Sequence, residues 1–156
     1  MLVVDWSKET AFLLGRQFAV YELIQVASRG RGFHGAIMTD LYQAAASQPR
    51  RIFPLLDKRC EMDLARIGGD RKRLRLLLKT EVLRIKKSIA TGGYHSLPAL
   101  LSDEQEDLFA AGYCHQRREL FGAADATVSS TAMERSAPAH RLADGGHHES
   151  LVSPMA

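Results

Sequence analysis

The sequence predicts an all-α fold, a single compact bundle of about five helices followed by a disordered C-terminal tail. Three observations carry that expectation. Apolar residues recur at three- and four-residue intervals over long stretches, as on one face of a helix. No stretch of useful length shows the strict alternation of a half-buried strand. Glycines, prolines and capping residues divide the chain into segments of helical length. At 156 residues with 46% hydrophobic content, the chain is long enough for one domain with a core and too short for two comfortable ones. That domain is placed at residues 1–121 and the tail at 122–156.

The first helix is expected over residues 7–27, with Leu14, Phe18, Tyr21 and Ile24 on its apolar face. The run S28-R-G-R-G32 ends it, because two glycines favour a loop over a continued helix. A second helix fits residues 36–46, packing through Ile37, Leu41 and its alanines. Ser47 and Pro49 suit a cap and a first turn, which opens a third helix reaching about residue 67. Pro54 is expected to kink or restart it, and Gly68-Gly69 to stop it. Asp70 suits the N-cap of a fourth helix that ends at Gly92-Gly93. S102-D-E-Q105 has the spacing of a capping box and opens a fifth helix running to about Phe121. Beyond Gly122 the composition turns to Ala, Ser, Thr, Gly, His and Pro without periodicity, which predicts the tail.

Charge is unevenly spread. The total of 21 basic against 18 acidic residues leaves a net +3. Residues 50–87 alone hold thirteen Lys and Arg against five Asp and Glu. Clustered charge governs attraction to a polyanion better than the total does. Cys60 and Cys114 are isolated, with neither CxxC spacing nor a disulfide-rich context, which suits a reducing cytosol. No apolar run approaches the roughly 18 residues needed to span a bilayer, and M-L-V-V-D-W lacks the plan of a signal peptide. A cytoplasmic protein without a membrane partner is expected.

The fourth helix holds the densest signal. In R71-K-R-L-R-L-L-L-K-T-E-V-L-R-I-K-K87, Leu74, Leu78, Val82, Ile85 and Ile89 fall on one arc that faces the core. Lys72, Arg75, Lys79 and Lys86 gather beside them, with Leu76, Leu83 and Ala90 as a second apolar stripe. Two stripes call for two packing partners. An interfacial membrane helix would present a broad face with Trp or Phe, which this helix lacks. The plain alternative is a solvated face whose long stems cover the core. The functional reading is a nucleic-acid surface, since Arg50, Arg51, Lys58, Arg59 and Arg66 on the preceding helix add charge that neutralises phosphates. Phe53 is the one aromatic residue between 50 and 87, so backbone contact is favoured over base stacking. The expected nucleic-acid contacts are Arg50, Arg51, Lys58, Arg59, Arg71, Arg73, Lys79, Lys86 and Lys87.

Chemistry is weakly represented. Cys114 and His115 are adjacent, so on a helix they point about 100° apart and form no nucleophile–base pair. His147, His148 and Glu149, with His140 nearby, lie in the predicted tail without a preorganised second shell for a metal. Phosphate-loop, zinc and paired-carboxylate patterns are absent. No catalytic residue, metal or cofactor is expected.

Several segments resemble a known family. L14-G-R-Q-F-A-V-Y-E22 resembles the L-G-R-L-F-A-V-L-E signature in the C-terminal region of the large subunit of subtype I-C CRISPR Cascade complexes. A36-I-M-T-D-L-Y42, A45-A-S-Q-P49 and I52-F-P-L55 are similar to that family's T-I-x-D-x-Y, A-S-x-x-P and V-F-P-x-L segments in the same order. F109-A-A-G-Y-C-H-Q-R117 resembles its F-A-L-G-Y-Y-H-Q-R ending. Gln17 stands where the family pattern is apolar, Cys114 replaces a tyrosine, and Gln105-Glu106 inverts a Glu-Gln pair. The resemblance covers roughly residues 10–121. It implies a non-catalytic small subunit that is also made separately by internal initiation, and Met1 just upstream of the motif suits such a start or a truncation boundary. The implied partners are the large subunit, the backbone subunits and further copies of the chain, with the guide RNA and the target and non-target DNA. Because guide pairing supplies sequence selectivity, backbone-directed charge is enough to bias strand exchange. Exposed apolar residues such as Trp6 fit docking to neighbouring subunits.

Overall fold

The computed structural model describes residues 6–30, 36–89 and 96–135, with side chains over 8–30, 40–89, 96–120 and at Gly122. Five helices follow in order: α1 (Trp6–Arg29), α2 (Ala36–Ser47), α3 (Pro49–Arg66), α4 (Lys72–Ile89) and α5 (Asp103–Arg135). A single 3-10 turn, Gly69–Arg71, joins α3 to α4. There is no strand among the described residues, so the all-α expectation holds.

α1 is the central helix. Leu14, Phe18, Tyr21 and Ile24 are all buried, joined by Ala11, Val20, Phe53, Leu78, Ile85 and Phe109 in one continuous core. α5, α4 and α3 each pack chiefly against α1 rather than against one another. The α1–α5 seam is the tightest. A Cβ at Gly15 would sit 1.9 Å from the Phe109 carbonyl oxygen, and one at Gly112 would sit 2.0 Å from that of Phe12. Two glycines, one from each helix, therefore let the backbones touch. Polar pairs follow the seam in the same direction along both helices, from Lys8–Glu104 through Arg16–Gln116 to Glu22 with Tyr113 and Arg117.

The boundaries show which local signals prevailed. The capping box forms as expected: Ser102 donates its N–H to Gln105 Oε1 at 2.9 Å, and Gln105 donates its N–H to Ser102 Oγ at 3.4 Å. Ser47 does not cap α3; its hydroxyl donates back to the Gln43 carbonyl at 2.9 Å, and Gln48 precedes Pro49 without a side-chain cap. α3 runs on through Pro54. That proline is exposed, so the carbonyl deprived of its N–H partner can bond water. Gly69, at φ +65, turns the chain after Ile67, a conformation open to glycine at little cost. Asp70 lies inside the 3-10 turn, where Gly68 is the capping residue and no side-chain cap forms. α5 continues past Phe121 to Arg135. Gly122 slows a helix without ending it, and the following alanines favour its continuation. The rest of the expected tail, 136–156, lies outside the described residues, as do the side chains of Trp6 and Ile37, Arg31, Ala90, and His140, His147, His148 and Glu149.

Candidate nucleic-acid interface

α4 divides along its axis as its pattern predicts. Leu78, Val82 and Ile85 are buried and Ile89 is half-buried, while Leu74 sits at the edge of that arc and is 36% exposed. In the second stripe Leu76 and Leu83 are 66% and 56% exposed, and Leu77, on another side of the helix, is 57% exposed.

α3 and α4 run antiparallel, diverging from the turn at Gly69–Arg71, and a groove of about 660 Å³ lies between them. Its α4 wall presents Lys72, Arg75, Leu76 and Lys79, and its α3 wall Glu61, Leu64 and Ala65. Its three cations recur on one face: Lys72 and Lys79 are seven residues apart, which turns a helix by only about 20° from register, and Arg75 lies between them. On the other flank of α3, a smaller groove of about 330 Å³ is lined by Arg29, Lys58, Arg59 and Arg66, with Leu55, Met62 and the buried Asp63. The basic region is thus two surfaces, one on each side of α3.

The nine expected contacts separate accordingly. Arg73, Lys79 and Lys87 are exposed on α4. Arg51 and Lys58 are exposed on α3 and Arg59 is half-buried, with Lys58 and Arg59 lining the smaller groove. The other three are engaged within the fold. Arg50 donates through Nε to the Leu97 carbonyl at 2.7 Å. Arg71 donates to the Ala27 carbonyl at 3.0 Å, which ties the start of α4 to the end of α1. Lys86 donates to Asp57 Oδ2 at 2.5 Å. Lys72 and Arg75 were outside that set, yet they line the larger groove. The helical period had already gathered them with Lys79 on one arc of α4, without naming them as contacts.

Asp57 is the hub of a polar chain through the core. Gln17 donates from its amide to the Tyr21 hydroxyl, which in turn donates to Asp57 Oδ1. The carboxylate thus joins α1, α3 and α4. Beside it, burial is the main cause that pushes the Cys60 thiol up to about 12, with the Asp57 charge adding to the rise. Cys60 is therefore an inert packed thiol, while Cys114 is exposed.

A second network lies on the opposite side of α4. Glu81 accepts from Arg84 at 2.5 and 3.0 Å and from Gln116 at 2.9 Å, while Arg16 donates to Gln116 at 2.6 Å. The Arg84 hydrogen bonds, first among the causes, hold the Glu81 carboxyl below its ordinary value against the effect of burial. The one acid of α4 is therefore turned inward, leaving the outer face of that helix basic.

Two of the segments that carry the family resemblance, 14–22 and 109–117, face each other across the α1–α5 seam. Gly15, Arg16 and Glu22 of the first segment meet Phe109, Tyr113, Gln116 and Arg117 of the last, and Gly112 meets Phe12 just before the first segment. Tyr113, whose hydroxyl donates to Glu22 at 2.7 Å, is pushed up to about 12 by burial and by that carboxylate. His115 lies 3.2 Å from Glu119 and its ring is 5.8 Å from that of Phe12, a structural setting on the rim of the seam. Among the described residues no group of three or more His, Cys, Asp or Glu is arranged to hold a metal, and no helix is long and apolar enough to cross a membrane.

No curated protein matches the chain. The family model described as CRISPR-associated protein (Cas_Csd1) matches residues 4–121, the span from the start of α1 through the seam segment of α5, and the chain belongs to this family of CRISPR-associated proteins.

Proposed function

We infer that the chain is a non-catalytic, cytoplasmic small subunit of a type I-C Cascade-like RNA-guided complex. It lines the complex beside the large and backbone subunits and holds target and displaced DNA strands in the R-loop. The observation that carries this reading is the α3–α4 groove, where Lys72, Arg75 and Lys79 face Glu61 as the only acid among its lining residues. Helix electrostatics add support. The first turn of α4 has no acidic residue and follows directly from Arg71, although cations at a helix N-terminus are disfavoured by about 0.3–1 kcal/mol. Stability alone does not account for that placement, whereas a phosphate backbone would be drawn both to the cations and to the N-terminal dipole. Arg73, Lys79 and Lys87, with Lys72 and Arg75, are the contacts on this side; Arg51, Lys58 and Arg59 supply the other flank of α3. Guide pairing supplies selectivity, so charge directed at the backbone is sufficient.

The exposed Leu76, Leu77 and Leu83 favour a second reading, a helical module that docks other subunits without touching nucleic acid. One experiment separates the two. Target-duplex binding by the reconstituted guide-RNA complex is measured without the chain, with it, and with Lys72, Arg73, Arg75 and Lys79 changed to alanine. The nucleic-acid reading expects the variant to assemble yet fail to restore tight binding, with the salt slope reduced by about one per lost phosphate contact. Full restoration by the variant leaves only the docking role.

A further inference from the structure

Lys72, Lys79 and Lys86 recur every seven residues, so Lys86 continues the cationic stripe of the larger groove. It does not project into that groove with the others. Its ammonium is held at 2.5 Å by Asp57 of α3, and the other oxygen of the same carboxylate accepts from Tyr21 of α1. The two helices are thus tied directly at two places, by the covalent turn at Gly69–Arg71 and by the Asp57–Lys86 bridge, which lies beyond the residues that line the groove. Between these ties the α3 wall presents Glu61, Leu64 and Ala65 and the α4 wall Lys72, Arg75, Leu76 and Lys79. Both helices are seated on α1, and among the described residues the direct polar tie between them is the Asp57–Lys86 bridge.

We propose that Asp57 and Lys86 are positioning residues that fix the width of the α3–α4 groove, holding Lys72, Arg75 and Lys79 at a fixed distance from α3 without themselves contacting the bound strand. The Gln17–Tyr21 pair steadies Asp57 from the core. The nucleic-acid part of this assignment rests on the function proposed above; the mechanical part does not.

Two measurements test it on the full chain. Spin labels are placed at Ala65→Cys and Leu76→Cys in a Cys114→Ser background, with Cys60 buried and unreactive. The unaltered pair should give one narrow distance, and both Lys86→Met and Asp57→Asn should broaden or lengthen it at unchanged helical content. Asp57→Asn keeps the side-chain size, so it carries the test should Lys86→Met fail to fold. An unchanged distance in the folded variants overturns the proposal, whatever the chain does with nucleic acid. In the reconstituted complex, Lys86→Met should weaken DNA binding about two- to thirtyfold with an unchanged salt slope, whereas Lys79→Ala should lower the slope by about one. A slope lowered by about one in Lys86→Met makes Lys86 a phosphate contact and refutes the positioning role. If Lys79→Ala binds like the unaltered chain, the nucleic-acid reading fails while the distance measurement still decides the bridge.

Discussion

At the scale of single residues, the glycines show how differently one residue type is used. Gly15 and Gly112 are required by close approach, since any Cβ would overlap a carbonyl of the facing helix. Gly69 is required by its positive φ, and Gly68 by neither, because a Cβ there meets nothing within 4 Å and its φ of −123 is open to any residue. Gly15→Ala and Gly112→Ala are each expected to lower stability by about 1–3 kcal/mol or more through forced separation of the helices. Gly69→Ala should cost about 1–2 kcal/mol from the left-handed conformation, and Gly68→Ala should be neutral or slightly stabilising. Urea midpoints for the four variants check this order; a Gly15→Ala protein as stable as Gly68→Ala would contradict the seam. The need for glycine at 15 and 112 was not legible from local pattern, because a helix-interior glycine explains itself only once the opposing backbone is known.

Among the elements, α4 was the most legible and also the most instructive. Its period placed Leu78, Val82 and Ile85 inward, and they are buried. The period could not say whether the second stripe was covered; Leu76 and Leu83 are largely exposed. Leu78→Ala should therefore cost about 2–5 kcal/mol, and Leu76→Ala or Leu83→Ala less than about 0.5 kcal/mol in the isolated chain. Thermal unfolding of the three variants decides it, and a large loss in Leu83→Ala would mean that its stripe packs within the chain. The capping box at Ser102 was equally legible, since it needs only local geometry. Asp70 was not, because the turn tightened into 3-10 geometry and moved the cap to Gly68.

For the whole molecule, stability against pH follows from groups that fasten helices together. Cys60 and Tyr113 are both raised in the folded state, from ordinary values of 9.0 and 10.0. The folded protein holds those protons more tightly, so their contribution is fully present below the ordinary values and is lost as pH climbs toward 12. Glu81 is lowered from 4.5; its contribution is present above that value and is lost as pH falls below it. The denaturation midpoint should thus form a plateau from about pH 4.5 to 9. Tyr113→Phe should weaken the dependence above pH 10, and a variant that keeps the full alkaline slope would show that the Glu22–Tyr113 contact does not carry it. The sequence by itself determined the all-α class, the number of helices, the inward faces of α1 and α4 and the basic character of residues 50–87, because periodicity, capping and charge are local properties. Only the tertiary structure decided that two glycines form the α1–α5 seam, that Arg50, Arg71 and Lys86 are engaged within the fold, and that Lys72, Arg75 and Lys79 line one groove. Those outcomes depend on which residues distant in the chain meet around α1, and no local pattern encodes the partner of an exposed-looking cation.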